Sequence, residues 1–448
     1  MASKQITMAD GPLARQIMAF SIPLMISNVL QVLFNMADIA VAGRFAGPEA
    51  LGAVGSTTIL VTLFIGIVIG MGSGVNVTVA RFLGARQERD VRESVHTSLI
   101  LCLLVGLALA AVGVGGTHAI MTAMHTKPEL IGGAERYLHI YFLGMPALGV
   151  YNFGNAVLSA DGDTRHPLIF LSAAGVLNVV LNLFFVVVCQ LGVTGVAIAS
   201  VVSQYLSAAL ILRFMMRSDS ITSVRLSELR LTGSKVRMIL PLGLFSGAQN
   251  AIFQLANLFV QTGVNSFDAI MVEGNAAAAN ADGLVYDVMA AFYTACSSFM
   301  SQNYGAGKKE RVLKSYYISL AYSFGAGLMI GVALVAVGPQ FLSLFTTDPQ
   351  VAQKGLVRLT IMGLSYGFSA FMDCTIAASR GLGRSVVPTI LVILGSCVFR
   401  LIWIFTVFAH FQTIMSLYLL YIFSWTITAI AEIAYFVPCY RKQMALLK

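Results

Sequence analysis

Charge is what this chain has least of. Only 11% of its 448 residues are Asp, Glu, Lys or Arg, where a soluble domain carries roughly one quarter, and that deficit excludes an ordinary water-soluble fold. Histidine and cysteine are sparse as well, with six of each. The histidines form no HExxH or comparable cluster, and His118 and His125 fall in a loop between apolar stretches. Cys102, Cys189, Cys296, Cys374, Cys397 and Cys439 stand singly, without the paired spacing of a metal or redox site, and read as buried, inert thiols. The glycine-containing turns Asp161-Gly162-Asp163-Thr164-Arg165 and Arg380-Gly381-Leu382-Gly383-Arg384 follow no strand and lack a Lys-Ser/Thr ending, so they are not phosphate loops. No cofactor is expected, and no metal beyond a possible Na⁺.

What fills the chain is apolar: 57% of its residues are hydrophobic. Twelve runs suffice to cross a bilayer as helix, which takes about 20 residues: 14–42, 51–79, 95–117, 134–158, 168–189, 192–214, 236–262, 276–301, 316–338, 355–379, 387–409 and 414–437. They are continuously apolar rather than alternating, which favours helices over a barrel. With the N-terminus cytoplasmic, the outer side receives Arg44, Lys127, Arg136, Lys354 and Arg358, and Arg400 lies within a span. The other 22 of the 28 Lys and Arg then face the cytoplasm, so both termini are expected inside. The net charge of +8 follows from that asymmetry and implies no nucleic-acid partner. No basic region, short apolar core and small-residue cleavage site open the chain, so the first span is expected to stay in the membrane.

The chain also repeats. At a shift of about 221 positions, Gly84-Ala85, Val91, Ser94 and Ser98-Leu99 recur as Gly305-Ala306, Val312, Ser315 and Ser319-Leu320; Pro128 falls on Pro349 and Pro167 on Pro388. So long a period is a duplicated bundle rather than a solenoid unit. An even number of spans precedes the hydrophilic stretch between spans six and seven, so the copies run parallel, as in some transporters. The expected organisation is an N-terminal lobe over 1–216, a short amphipathic cytoplasmic linker over 217–235 and a C-terminal lobe over 236–448.

Polar residues at membrane depth are the candidates for function. In span one Asn28, Gln31, Asn35 and Asp38 share one helical face, and span seven carries the matching stripe Asn250, Gln254, Asn257 and Gln261. The copies differ in their carboxylates: Asp38 pairs with Asn257, and Asn152 with Asp373, which ends the stripe Ser365, Ser369, Asp373. A membrane-buried carboxylate needs a cation or a proton, which is the requirement of an ion-coupling site. Arg400 needs a partner too. Counting depth at about 1.5 Å per residue favours Asp287 over Asp373, so Asp287–Arg400 is the expected structural ion pair, and Glu432 is read as structural. No Ser–His pair or facing aspartates mark an intramembrane enzyme, and no filter loop marks a channel.

At these residues the chain resembles the multidrug and toxic compound extrusion (MATE) family. The resemblance is carried by Asn35-Met36-Ala37-Asp38 with Gly43-Arg44, by Ala160-Asp161-Gly162-Asp163-Thr164 with Pro167, and by Asn178-Val179-Val180-Leu181-Asn182. Gly192-Val193-Thr194-Gly195-Val196-Ala197 and Gln302-Asn303-Tyr304-Gly305-Ala306 extend it across the chain. It implies an all-α polytopic protein with twelve transmembrane helices in two pseudo-symmetric six-helix bundles forming a V. It further implies a multi-pass protein of the cell membrane, working as a monomer, that exports cationic, amphipathic compounds by antiport with H⁺ or Na⁺. By position, Asp38 matches the family's acidic residue of span one. Asn178 and Asn182 match the polar pair of span five, whose second member is an aspartate in other members, and Asn155 and Ser200 match further polar positions. Gln249 stands where one branch has a glutamate, while Asp373 keeps that branch's span-ten aspartate. Asp38, Asn155, Asn178, Asn182 and Ser200 are thus the expected coupling site. Gln31, Asn35, Asn152, Gln249, Gln254, Asn257 and Asp373 are candidates for a substrate cleft or second cation site. The alternative is a flippase for lipid-linked saccharides, which calls for several basic residues deep in its cleft; only Arg400 is deep by this reading.

Overall fold

A computed structural model describes residues Met8–Ala123 and Pro128–Leu447; His125 and Lys127 lie outside the described residues, as do Lys4 and Lys448 among the 22 basic residues expected on the cytoplasmic side. The chain is helical. Its long helices are α1 (Leu13–Ala46), α2 (Pro48–Gly84), α3 (Glu88–Ala123), α4 (Pro128–Phe142), α5 (Met145–Ala160), α6 (Arg165–Val188) and α7 (Gly192–Arg217). The second copy contributes α8 (Gly233–Val264), α9 (Ala269–Gly305), α10 (Lys309–Ala336), the short α11 (Gly338–Ser343), α12 (Pro349–Gly381), α13 (Val386–Phe411) and α14 (Ile414–Leu446). Among the described residues, ten helices are long and apolar enough to cross a membrane. The other two expected spans differ for stated reasons. The run 134–158 is broken between α4 and α5, and 276–301 lies in α9, whose 37 residues include Glu273, Asp282 and Asp287.

The duplication is written into the backbone. Gly162 and Gly383, at the same place in the two copies, have φ of 86° and 79°, and Arg86 and Gly307 likewise have 55° and 71°. Helix boundaries correspond as well: α2 and α9 end at Gly84 and Gly305, and Pro128 and Pro349 each open a helix, where a missing N–H costs nothing. The copies part at one point. Pro146 follows the α4–α5 break, whereas its counterpart Gly367 sits inside the unbroken α12; the proline ring and its missing N–H explain the difference.

The helices form two compact units. Among the described residues, unit 1 is Ile26–Ala248, and unit 2 is Met8–Met25 with residues 249–447. The chain therefore changes unit inside α1 and inside α8, after the helix-internal prolines Pro23 and Pro241; the lobes expected from the sequence meet at the linker 217–235. In unit 2 the start of α1 is strapped to the α9–α10 turn. Arg311 Nη1 donates to the Gly11 carbonyl at 2.9 Å, Asn303 Nδ2 to the Met8 carbonyl at 3.1 Å, and Lys308 pairs with Asp10 at 2.5 Å. In unit 1 the stretch between α7 and α8 holds one helical turn, Leu226–Glu228. It is held by side chains: the His96 ring nitrogen Nε2 accepts from the Arg225 N–H at 3.0 Å, and Ser220 and Thr222 hydroxyls both reach Asp161 Oδ2 at 3.1 Å. All six cysteines are free; four are buried as expected, while Cys189 is exposed and Cys439 half-buried.

Small residues let the helices within each unit meet closely. In unit 2 a Cβ on Gly331 of α10 would fall on the Gly363 carbonyl oxygen of α12. Gly331→Val should therefore force α10 and α12 apart at a cost of about 1–3 kcal/mol, read as a lowered melting temperature of the detergent-solubilised chain. An unchanged melting temperature would remove this contact from the account.

Candidate functional site

Helix α6 shows why the first site forms where it does. Val176, Val180, Leu183 and Val187 are exposed, as a lipid-facing stripe is, and the 3.6-residue period puts Asn178 and Asn182 on the opposite, buried face. There they meet Asp38 of α1 and Ser200 of α7. Asp38 is 9% exposed and Asn182 0%. Asn182 Nδ2 donates to Asp38 Oδ1, the Ser200 hydroxyl to Asp38 Oδ2 at 3.0 Å, Asn182 Nδ2 also to Asn178 Oδ1 at 3.2 Å, and Asn178 Nδ2 to Ser200 Oγ at 3.4 Å. A π-helical turn follows Asp38 in α1, at Ala42–Ala46, and another follows Asn182 in α6, at Phe184–Val188; such turns recur at functional sites.

Two features make this cluster more than a packed polar patch. Among the described residues no basic side chain is paired with Asp38; its partners are neutral. Asn182 Oδ1, fully buried, has no donor within hydrogen-bond distance among the described residues, and buried polar atoms are seldom left so. Tyr137 and Tyr141 of α4, their rings 5.5 Å apart, stand close enough to Asp38 to feel its charge. The sequence reading missed both, because aromatics in an apolar run look like packing. Asn155, expected here, is half-buried on α5; its Oδ1 accepts from Ser159 at 3.5 Å, and it does not join the cluster. Asn152 donates to the Leu148 carbonyl of its own helix at 2.9 Å, and Gln31 and Asn35 are exposed.

Unit 2 gathers charges of both signs. Arg400 of α13, 2% exposed, donates through Nη1 to Asn257 Oδ1 at 2.8 Å and through Nε to Ser424 at 3.3 Å, with its guanidinium 4.8 Å from the Tyr421 ring centre. Arg380 of α12 donates to Gln249 Oε1 at 2.6 Å. Asp373 lies within electrostatic reach of both arginines. Gln249, Asn257 and Asp373 are thus brought together, while Gln254 points outward. The expected Asp287–Arg400 pair is not formed: Arg400 bonds to Asn257 and Ser424, and the carboxylate it feels is Asp373. Unit 2 does hold an ion pair with a buried arginine, Arg358–Asp282, between α12 and α9. Arg358, expected toward the outer side, is 4% exposed.

Among the described residues no group of three or more His, Cys, Asp or Glu could hold a metal ion. What the unit 1 cluster offers instead is oxygen: a carboxylate, two amide carbonyls and a hydroxyl.

A family model described as MatE matches residues 23–184 and, a second time, 246–406. The chain belongs to the MatE family. Its curated relatives include the probable multidrug resistance protein YpnP of Bacillus subtilis, 26% identical over 82% of each chain. The probable multidrug resistance protein NorM of Thermotoga maritima is 24% identical, over 89% of this chain and 86% of that one. The FAD transporter of Shewanella oneidensis is 26% identical over 80% of each. Among solved structures, an outward-facing multidrug resistance MATE transporter of the MOP superfamily superposes with a TM-score of 0.91 at 23% identity, covering 100% of this chain and 99% of that one. A MOP superfamily transporter from Pyrococcus furiosus gives 0.91 at 22% identity, over 99% of each. This MatE-family chain thus has the all-α polytopic MATE fold, and its family consists of membrane transporters rather than enzymes.

Proposed function

We propose that the chain exports cationic, amphipathic small molecules across the cell membrane in exchange for H⁺ or Na⁺, with Asp38 as the coupling residue. The observation that carries this reading is a buried carboxylate held only by neutral groups, beside a buried amide oxygen with no donor. A proton can settle on Asp38. Na⁺ finds hard oxygen ligands in Asp38, Asn178, Asn182 and Ser200, the donor type such cations take. Removing the carboxylate's charge weakens its claim on the Ser200 hydroxyl and the Asn182 amide, which frees α1, α6 and α7 to shift where their π-helical turns already depart from regular helix. Multidrug proteins among the relatives support the substrate class. Both termini stay cytoplasmic in this account, and a single chain is the working unit. The flippase alternative gains nothing from Arg358 or Arg400, since Arg358 is matched by Asp282 and Arg400 by Asn257 and Asp373; Arg380, bonded to the neutral Gln249, is one basic group where that reading calls for several.

Purified chain in proteoliposomes, with ethidium as the probe and pH and Na⁺ gradients imposed one at a time, tests this. One of the two gradients should accelerate ethidium movement above the rate without a gradient. Equal rates under all three conditions would sink the proposal.

A further inference from the structure

Glu432 lies on α14 and is 0% exposed, and among the described residues neither of its carboxylate oxygens has a donor within hydrogen-bond distance. Arg380, across from it on α12, is the complement: Nη2 donates to Gln249, while the buried Nε has no acceptor. The two side chains are near enough for each to feel the other's charge without being bonded. The groups that act on Glu432 are Arg380 and Asp373 on α12 and Tyr435 on its own helix, and Tyr435 in turn senses Cys439 of that helix and Arg384 of the turn after α12. Behind these, Arg400 of α13 acts on Asp373, and Tyr286 of α9 on both Asp373 and Arg380. An ionised carboxylate buried without any donor is costly. It is relieved by a proton, or by Arg380 turning from Gln249 toward it.

We propose that Glu432 is a proton-binding site in unit 2, with Arg380 as the positioning cation that exchanges between Gln249 and Glu432 as the proton comes and goes. With Glu432 and Asp373 both ionised, their two charges balance the guanidiniums of Arg380 and Arg400. A proton on Glu432 leaves one positive charge in excess, which disfavours an organic cation nearby. Proton entry and cation release are thereby linked in unit 2 as well. The inference rests on the antiport reading only for its place in the transport cycle; proton binding at Glu432 is independent of Asp38.

The test uses the intact wild-type chain and dicyclohexylcarbodiimide, which converts a protonated buried carboxylic acid to a stable N-acylurea. Mass spectrometry of the digest should find Glu432 labelled at acidic pH and about tenfold less so one pH unit above its midpoint. A Glu432 peptide that stays unlabelled at every pH, or is labelled equally at all, overturns the proposal. The Asp38 peptide in the same digest reports on that residue separately. In proteoliposomes Glu432→Gln should lower the number of protons moved per ethidium with Asp38 labelling intact; an unchanged ratio would contradict the inference and leave the Asp38 reading standing.

Discussion

Asp38→Asn is expected to abolish ion-coupled movement of ethidium while leaving the protein folded. Asparagine keeps the shape of the side chain and can still accept from Ser200 Oγ, now 3.0 Å from Asp38 Oδ2, so the cluster of α1, α6 and α7 has no cause to collapse. What it loses is the only carboxylate of that cluster. A neutral amide takes up no proton at physiological pH and offers Na⁺ no formal charge, so the site stays in one state. A ligand shifts a conformational equilibrium only by its differential affinity for the two states; with no ion bound in either, the imposed gradient has nothing to act on. Gradient-driven ethidium movement should fall to the level of empty liposomes, with the melting temperature within a few degrees of wild type. Coupled transport at the wild-type rate in this variant would remove Asp38 from the mechanism.

The largest stability effect is expected at Arg358→Met. Arg358 pairs with Asp282, donates through Nη1 to Asn275 Oδ1 at 2.9 Å, and lies 5.5 Å and 5.6 Å from the ring centres of Tyr418 and Tyr421. The Tyr366 hydroxyl donates to the same aspartate. One guanidinium therefore ties α9, α12 and α14 together. Methionine fills part of the space but strands Asp282 and the Asn275 oxygen. Breaking a buried pair costs about 3–5 kcal/mol; the Asp282 side chain is 32% exposed, which favours the lower end of that range. The melting temperature should fall markedly, and Asp282→Asn added to Arg358→Met should recover part of the loss, because the stranded charge is then gone. A single variant as stable as wild type would show that the pair holds nothing together.

The fold was legible because bilayer length and the long repeat leave few alternatives, and the two copies keep their helix ends in step. The unit 1 site was legible in part. Asn178 and Asn182 are one helical turn apart, so they had to share a face, but nothing in the sequence says which face of α4 or α5 looks at Asp38. Asn155 was therefore included and Tyr137 and Tyr141 were left out. The burial of Arg358 was not legible, because depth along a span says nothing of whether a side chain faces water, lipid or a neighbouring helix. The Asp287–Arg400 expectation failed for a different reason. Depth counting gives height along a helix and not the direction a side chain faces, and α13 contains π-helical turns at Ile393–Val398 and Ile404–Phe408. A π-helical turn inserts a residue into the 3.6-residue period, so the first of these alters the face on which Arg400 emerges. Glu432 and Arg380 needed tertiary structure outright, since they come from separate helices with no shared spacing.

Coupling is reciprocal in free energy, so the account is tested most directly by running the exchange backward. Proteoliposomes are loaded with ethidium, no ion gradient is imposed, and the movement of H⁺ or Na⁺ is recorded as ethidium flows down its own gradient. The wild-type chain should drive one of these ions in the opposite direction, and Asp38→Asn should drive neither. Equal ion movement in the two proteins would contradict the assignment of coupling to the Asp38 cluster.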